Sequence, residues 1–302
     1  MKLTYFSKDE IDFNLQDLPT RPEPLNILLS TPDHFQIKDS KNPFTNLSVD
    51  LDKEVAIDQW NNLRSTYEEL ADKNILEDIT VLDSDPKCED MVFCANQTFP
   101  WILNDGSNVV VLSKMRHMSR QNEIIHFSSF FESIGYQILL LNNTDCFEGM
   151  GDAIPHPSKK LIYLGNGQRT SENAVKEISS LLEVPIISLR LINEYFYHLD
   201  TCFLPVSENT VLLCSSAFSN KAIDLIHSLF NEVIDIPEKE AINFFSLNTH
   251  CITSSAKVAI IQKGTTTTKE VLIDHGFEVI ELQTTEFMKS GGSVYCMKMA
   301  YY

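Results

Sequence analysis

Late in the sequence, a cysteine follows a glycine-rich turn. Gly291, Gly292 and Ser293 come shortly before Cys296. Glycines permit a tight backbone bend, and such a bend exposes N–H groups and leaves room for a ligand. A cysteine at this position can act as a nucleophile if its thiolate is stabilised. The alternative is a buried structural cysteine on a strand, and this segment taken alone favours that alternative.

A histidine and a carboxylate lie close together in a second segment. His198 and Asp200 are two residues apart, so their side chains point to the same face of an extended chain. Such a histidine can serve as a general acid and base, because its pKa lies near neutral pH. The alternative is an ordinary polar turn, and the pair alone is weak support for catalysis.

Three further segments place polar side chains beside turn-forming or strand-like residues. Glu148 precedes a glycine-rich turn, which could hold its carboxylate close to a ligand; the alternative is an acidic surface turn. Asp90 leads a strand-like run. Gly165 and Gly167 lack the third glycine of a dinucleotide-binding fingerprint. We therefore interpret the nearby Arg169 as an anion binder that can hold a carboxylate with two hydrogen bonds.

The composition limits the classes of protein to which this chain can belong. It has 302 residues, of which 43% are hydrophobic, and a formal net charge of −18. This apolar content supports a packed core and excludes a collagen-like or disordered chain. The acidity disfavours nucleic acid and anionic membranes as partners, whereas it is compatible with a small cationic substrate.

The apolar runs and the cysteines suggest a cellular location. The apolar runs are far shorter than the roughly 20 residues that a transmembrane helix needs. The first residues lack the basic start and apolar stretch of a secretory signal. Seven cysteines without a C-x-x-C pair predict neither a disulfide framework nor a metal site. We therefore expect a cytoplasmic protein.

Strand-like and helix-like segments alternate along the chain, which predicts an α/β fold. Residues 1–24 are polar and are interpreted as an N-terminal extension or a lead-in strand, and residues 25–302 as a single domain. The predicted strands are 25–29, 79–82, 108–112, 136–141, 161–164, 186–189, 211–214, 257–261 and 277–282. The predicted helices are 50–73, 119–134, 171–182, 219–231 and 267–275.

Polar residues beside small or turn-forming neighbours recur at nearly equal intervals. They are Asn42, Asp90, Glu148, His198, Asn248 and Cys296, separated by 48, 58, 50, 50 and 48 residues. Five steps of this kind predict five structural units, each of which presents one polar residue to a shared place. If the units close into a ring, the first and last of these residues will lie in one neighbourhood.

In this order, these segments resemble the guanidine-modifying superfamily, whose pentein fold is a five-bladed α/β propeller with repeats of about 50 residues. The resemblance is carried by residues 31–35, 42–43, 90–96, 148–152, 165–170, 198–202 and 291–297, together with Arg116, Arg120 and Glu123. The superfamily includes arginine deiminases, arginine dihydrolases, dimethylarginine dimethylaminohydrolases and amidinotransferases. Residues 196–203, with Asn42 and Asn96, look most like the arginine dihydrolases.

The resemblance implies a cysteine-dependent mechanism on a planar guanidinium. Asp90 and Asp200 would hold the N–H groups of the substrate. Cys296 would attack the central carbon and form a covalent thiouronium. His198 would protonate the departing amine and then activate water, while Glu148 would hold His198.

The resemblance also implies the remaining contacts of the substrate. Arg169, with Arg120, would bind its α-carboxylate, and Asn42 and Asn96 would line its binding site. No metal or organic cofactor is needed for this chemistry. The expected partner is therefore a small cationic guanidino compound, with neither nucleic acid nor membrane involved.

Several functions remain open at this point. The first is hydrolysis of arginine or a close derivative, giving citrulline or ornithine plus ammonia. Asp200 favours an unmethylated guanidine, because a dimethylated nitrogen offers no N–H and would leave a buried carboxylate unpaired. The alternatives are an amidinotransferase that uses an amine acceptor, a dimethylarginine hydrolase, and a pentein that binds a ligand without catalysis.

Overall fold

The computed structural model describes residues 2–253 and 256–302. Over these ranges the chain forms sixteen β-strands and eight α-helices, with short 3₁₀ turns between them. The strands are β1 (Thr4–Tyr5), β2 (Asn26–Ser30), β3 (Asp78–Leu82), β4 (Thr98–Ile102), β5 (Asn108–Leu112), β6 (Gln137–Leu139), β7 (Ala153–Pro155), β8 (Ile162–Asn166), β9 (Ile186–Arg190), β10 (Phe203–Pro205), β11 (Thr210–Leu213), β12 (Glu232–Asp235), β13 (His250–Ile252), β14 (Val258–Gln262), β15 (Glu278–Leu282) and β16 (Met299–Tyr301). The helices are α1 (Lys53–Asp72), α2 (Ile124–Ser133), α3 (Gly149–Asp152), α4 (Ala174–Leu182), α5 (Asn220–Leu229), α6 (Glu238–Phe244), α7 (Thr267–Asp274) and α8 (Thr285–Met288).

The described strands form five sheets, and the same pattern recurs in each. An antiparallel pair is followed by a third strand that runs parallel to the middle one, and a helix connects the two parallel strands. A helix fits there because parallel neighbours need a long crossover connection. The sheets are β4-β5-β6 with α2, β7-β8-β9 with α4, β10-β11-β12 with α5, β13-β14-β15 with α7, and β16-β2-β3 with α1. The predicted α/β class is therefore confirmed.

One sheet joins distant parts of the sequence. Met299 of β16 pairs with Leu28 of β2 in antiparallel register. At the other end of the chain, β1 extends another sheet, because Thr4 pairs with Ile186 of β9 in parallel register. Tyr5 is completely buried there. The polar first segment therefore contributes a strand, whereas the boundary expected at residue 24 stays a prediction.

Apolar patterning explains the central strands and the helices. The run Asn108–Leu112 is rich in valine and its three central residues are buried, as expected for a strand covered on both faces. In α1, the side chain of Asp52 accepts the N–H of Val55 at 3.1 Å and caps the helix. Trp60 and Tyr67 then fall on its buried face. Both elements match their predicted positions.

Five of the strands that sequence patterns missed share one position in the fold. They are the first strands of the five sheets, β4, β7, β10, β13 and β16, and each lies at a sheet edge. The short third strand β12 was also missed. Three of them contain proline, namely Pro100, Pro155 and Pro205. An edge strand tolerates proline because one side of its backbone needs no ladder hydrogen bond. Their short length and their prolines hid these edge strands.

The predicted helix over 119–134 is also different in detail. Its first part, Met118–Glu123, is a 3₁₀ helix, and the α-helix proper covers Ile124–Ser133. Gly135 follows with a φ of +87°, which agrees with its expected role in ending the helix. None of the described helices is long and apolar enough to cross a membrane.

The edge strands position four of the six polar residues that the repeat had singled out. These four lie two to five positions before an edge strand: Glu148 before β7, His198 before β10, Asn248 before β13 and Cys296 before β16. In the remaining unit Asn96 holds this position before β4, whereas Asp90 lies eight residues before that strand. Asn42 lies between β2 and α1 and precedes no edge strand.

Candidate active site

A buried carboxylate lies against the predicted histidine. Oε2 of Glu148 is 2.7 Å from Nε2 of His198 and 2.9 Å from Nη1 of Arg169. Oε1 of Glu148 accepts the backbone N–H of Arg116 at 3.0 Å. Burial alone would raise the pKa of this carboxyl, but Arg169 and His198 hold that pKa well below its ordinary value. Glu148 is thus a carboxylate that can orient His198 and stabilise its protonated form.

Glycine is required where the Glu148 turn meets the histidine. A Cβ on Gly151 would lie 2.3 Å from Nδ2 of Asn96 and 3.3 Å from the ring of His198. Gly149 has a φ of +51°, and a Cβ there would lie 2.5 Å from the carbonyl oxygen of Thr98. The backbone can approach both elements only because these side chains are absent.

The predicted nucleophile has two polar neighbours. Sγ of Cys296 is 3.3 Å from Oδ2 of Asp200 and 3.2 Å from Nδ2 of Asn248. Burial and the Asp200 carboxylate raise the pKa of the Cys296 thiol well above its ordinary value. Burial also raises the pKa of Asp200 to about 7. In the free protein this environment favours a thiol over a thiolate, so the nucleophile needs a cation nearby to ionise.

Asp90 already has a cationic partner in this structure. Oδ2 of Asp90 lies 2.9 Å from Nζ of Lys41, and Oδ1 of Asp90 has no hydrogen-bond partner among the described residues. The backbone carbonyl of Lys41 in turn accepts a hydrogen bond from Nη2 of Arg169 at 2.8 Å. The residue pattern had given no signal that Lys41 belongs to the site.

Protein acceptors surround the guanidinium of Arg120. Its Nη1 donates to Oδ1 of Asn96 at 2.9 Å, and its Nε and Nη2 donate to the Glu123 carboxylate. Nη2 also reaches the carbonyl oxygens of Asp90 and Phe93. In this arrangement Arg120 holds the 90–96 segment in place. Its expected contact with a substrate carboxylate stays a prediction.

One cavity brings most of the predicted residues together. Its wall includes Asn42, Asp90, Asn96, Arg120, Arg169, His198 and Cys296. Glu148 lies behind His198, while Asp200 lies beside Cys296 and faces a second cavity that also contains the buried Lys298. Because Asn42 and Cys296 share this wall, the first and last repeat positions do lie in one neighbourhood, as the repeat predicted.

Sequence reasoning missed several residues that shape the cavity. The Tyr197 ring stacks 4.9 Å from Cζ of Arg169, and its hydroxyl donates to the carbonyl of Gly291. Asp152 accepts the backbone N–H of Leu199 at 3.1 Å and so fixes the turn after His198. Asn248 was singled out by the repeat, but its contact with the nucleophile was not expected. Among the described residues, no cluster of three or more His, Cys, Asp or Glu side chains could hold a metal ion.

Comparison with known proteins identifies the family. A family model described as N,N dimethylarginine dimethylhydrolase, eukaryotic, matches residues 30–302. The chain belongs to this dimethylargininase family. The superfamily expected from the motifs is thereby confirmed.

This dimethylargininase-family chain is similar to proteins with two different names. It is 34% identical over 279 residues to the bifunctional arginine dihydrolase/ornithine cyclodeaminase ArgZ of Synechocystis sp., covering 91% of this chain and 37% of that protein. It thus spans little more than a third of that relative. It is 29% identical over 276 residues to the N(G),N(G)-dimethylarginine dimethylaminohydrolase of Mycobacterium tuberculosis, covering 91% of this chain and 85% of that enzyme.

A solved structure supports the same relationship. The N-terminal domain of ArgZ, covalently bound to a reaction intermediate, superposes with a TM-score of 0.82 and 31% identity. The match covers 91% of this chain and 97% of that domain. The family member described here therefore matches an entire solved domain of its longer relative.

Proposed function

We propose that this protein is a cysteine-dependent hydrolase of the guanidino group of arginine or a close arginine derivative. The observation that carries the proposal is the convergence of Cys296, His198 and Asp90 on one cavity. A nucleophile, an acid–base group held by a carboxylate, and a carboxylate for a cation are the parts that such a reaction needs. The ArgZ domain bound covalently to a reaction intermediate supports the same chemistry.

Substrate binding would generate the nucleophile. Asp90 and Asp200 would hold the guanidinium, and its positive charge beside Sγ of Cys296 would lower the pKa of the thiol. His198 would accept the proton of the thiol as the sulfur attacks the central carbon and forms the C–S bond. His198 would then pass this proton to the departing nitrogen, so that the C–N bond breaks and ammonia is released.

Hydrolysis of the thiouronium would complete the first cycle. His198, now neutral, would take a proton from water while the oxygen attacks the same carbon, and Glu148 would stabilise the imidazolium that results. Cleavage of the C–S bond then returns the Cys296 sulfur and gives citrulline. Attack of a second water on that ureido carbon would release a second ammonia and carbon dioxide and give ornithine.

Arg169 is the best candidate to bind the α-carboxylate of the substrate. Its Nη1 is paired with Glu148, whereas its Nη2 donates to the carbonyl of Lys41 at 2.8 Å. A carboxylate is a stronger acceptor than that carbonyl. The ring of Tyr197 supports the guanidinium from one face. We propose that Asn42 and Asn96 line the same site.

A second candidate is hydrolysis of methylated arginine. The match to a dimethylarginine dimethylhydrolase family model over residues 30–302 favours it. Asp200 favours unmethylated arginine, because its carboxylate needs an N–H from the substrate and Oδ1 of Asp200 has no hydrogen-bond partner among the described residues. Transfer of the amidino group to an amine acceptor would use the same residues. An assay with an added amine acceptor distinguishes this transfer from hydrolysis.

We also propose how the units are arranged and where the protein acts. The five similar sheets would be the blades of one ring, and the pairing of β16 with β2 would close it. Residues 25–302 would form this single catalytic domain, with residues 1–24 packed against it through β1. All seven cysteines are free, which supports a reducing, cytoplasmic setting.

Product analysis tests the proposal. Purified protein and its Cys296→Ala variant are incubated with L-arginine and, in parallel, with N,N-dimethylarginine. Citrulline would show a deiminase, ornithine with ammonia a dihydrolase, and citrulline with dimethylamine a dimethylargininase. The product should vanish in the variant. A folded wild-type protein that converts neither compound would contradict the proposed function.

A further inference from the structure

The ammonium group of Lys41 pairs with Asp90, the carboxylate that is proposed to bind the substrate cation. Nζ of Lys41 lies 2.9 Å from Oδ2 of Asp90 and 3.1 Å from Oε1 of Glu89, and it also pairs with Asp39. The Lys41 side chain is only 8% exposed. Its amine carries a charge here because three carboxylates surround it, although burial opposes that charge.

The segment that carries this lysine is an ordered loop over the cavity. Residues 31–52, between β2 and α1, contain neither helix nor strand. The Phe44 ring packs against Phe245, and Nη2 of Arg169 donates to the carbonyl of Lys41 at 2.8 Å. These contacts fix the backbone, whereas the ammonium of Lys41 is held by ion pairs that a substrate cation can exchange.

A guanidinium and the Lys41 ammonium compete for the same atoms. A guanidinium pairs best with a carboxylate through two parallel hydrogen bonds, which use both oxygens. Oδ2 of Asp90 is taken by Lys41, and a second cation beside it would be repelled. Glu89 and Asp39 remain as partners for a displaced Lys41, so its ammonium needs only a short movement.

We propose that Lys41 is an internal competitor for the cation position on Asp90 and thereby sets the affinity of the site for guanidinium compounds. This inference rests on the proposed function, because it takes Asp90 as the guanidinium site. Removing the ammonium should leave Asp90 free to pair with the substrate. Guanidinium binding should therefore become tighter when Lys41 loses its charge.

Calorimetric titration tests this inference without turnover. L-arginine is titrated into the Cys296→Ala protein and into the same protein carrying Lys41→Ala or Lys41→Met. We expect Kd to fall by about tenfold in both, which corresponds to about 1.4 kcal/mol. The methionine variant keeps most of the aliphatic side chain and so guards against loss of packing.

A matched control comes from a neighbouring lysine. Lys38 pairs with Glu89 at 3.5 Å, is exposed, and does not line the cavity. Lys38→Ala should leave the Kd for arginine unchanged. Butylguanidine, which has no carboxylate, should show the same tightening as arginine in the Lys41 variants, because the competition concerns Asp90 and not Arg169.

The outcomes separate this inference from the proposed function. Arginine binding that is unchanged or weaker in both Lys41 variants would overturn the competition, since Lys41 would then position Asp90 or be irrelevant to it. Tightening for arginine but not for butylguanidine would also overturn it. Absence of arginine binding in every variant, with folded protein, would refute the proposed substrate class itself.

Discussion

Nε2 of His198 lies 2.7 Å from Oε2 of Glu148, and neither side chain is more than 2% exposed. The two residues are 50 positions apart in the sequence and come from adjacent repeat units. The contact fixes the orientation of the His198 ring and places a carboxylate beside its Nε2. Glu148 is therefore central to the proposed proton transfers although it does not line the cavity.

Glu148→Gln should lower kcat/KM for arginine by about 10²- to 10⁴-fold, the range typical of general acid–base catalysis. Glutamine keeps the size of the side chain, but it cannot stabilise a protonated His198. Ammonia release measured by steady-state kinetics from pH 6 to 9 checks this prediction. Glu177→Gln is a suitable control, because Glu177 caps the surface loop at Asn142 and Asn143. Retention of more than half the wild-type activity would show that the carboxylate is dispensable.

Asp200→Asn should make Cys296 more reactive in the free protein. The Asp200 carboxylate helps to raise the pKa of the thiol, so its removal lowers that pKa and increases the thiolate fraction at a given pH. Alkylation of Cys296 by iodoacetamide at pH 8, followed by peptide mass spectrometry, should be roughly tenfold faster, corresponding to about one pKa unit. Alkylation of Cys146 in the same sample serves as the internal control. An unchanged or slower rate at Cys296 would show that Asp200 does not suppress its ionisation.

The same substitution should change how stability depends on pH. Burial raises the pKa of Asp200 from 3.8 to about 7, so the folded protein binds this proton more tightly than the unfolded chain does. Asp200 therefore reduces stability progressively as pH rises from about 4 through 7, and the full penalty remains above that range. The Tm of Asp200→Asn relative to wild type should be several degrees higher at pH 8 than at pH 5, as calorimetry can measure. A Tm difference that does not vary with pH would mean that Asp200 has an ordinary pKa.

Gly151→Ala should abolish most activity and destabilise the fold by about 1–3 kcal/mol. The added methyl group would overlap Asn96 and press on the ring of His198. Gly106→Ala is the matched control, because its Cβ would meet no atom within 4 Å and only its φ of +89° opposes the change. We expect denaturant unfolding to show a loss in both variants and turnover to fall only in Gly151→Ala. Equal activity in the two variants would argue that the glycine is not needed for the site geometry.

Local sequence patterns were sufficient for the middle strand of each sheet, for the helix that follows it and for four of the five parallel strands, β12 being the exception. The Asn108–Leu112 strand and α1 are examples, because their apolar spacing and the Asp52 cap act within a few residues. The order of the polar motifs was also readable along the chain. Their resemblance to the guanidine-modifying superfamily indicated Cys296 and His198 as partners before any geometry was available.

Long-range packing decided the rest. The edge strands β4, β7 and β10 carry prolines and form only because a neighbouring strand supplies hydrogen bonds to one side. The pairing of Lys41 with Asp90 joins residues 49 positions apart, and no local pattern records it. Arg120 contacts Glu123 three residues along the chain, whereas its contact with Asn96 spans 24 residues and forms only when β4 and β5 pair. Periodicity reports which face of an element is buried, whereas the partner of a charged side chain is set by the assembled fold.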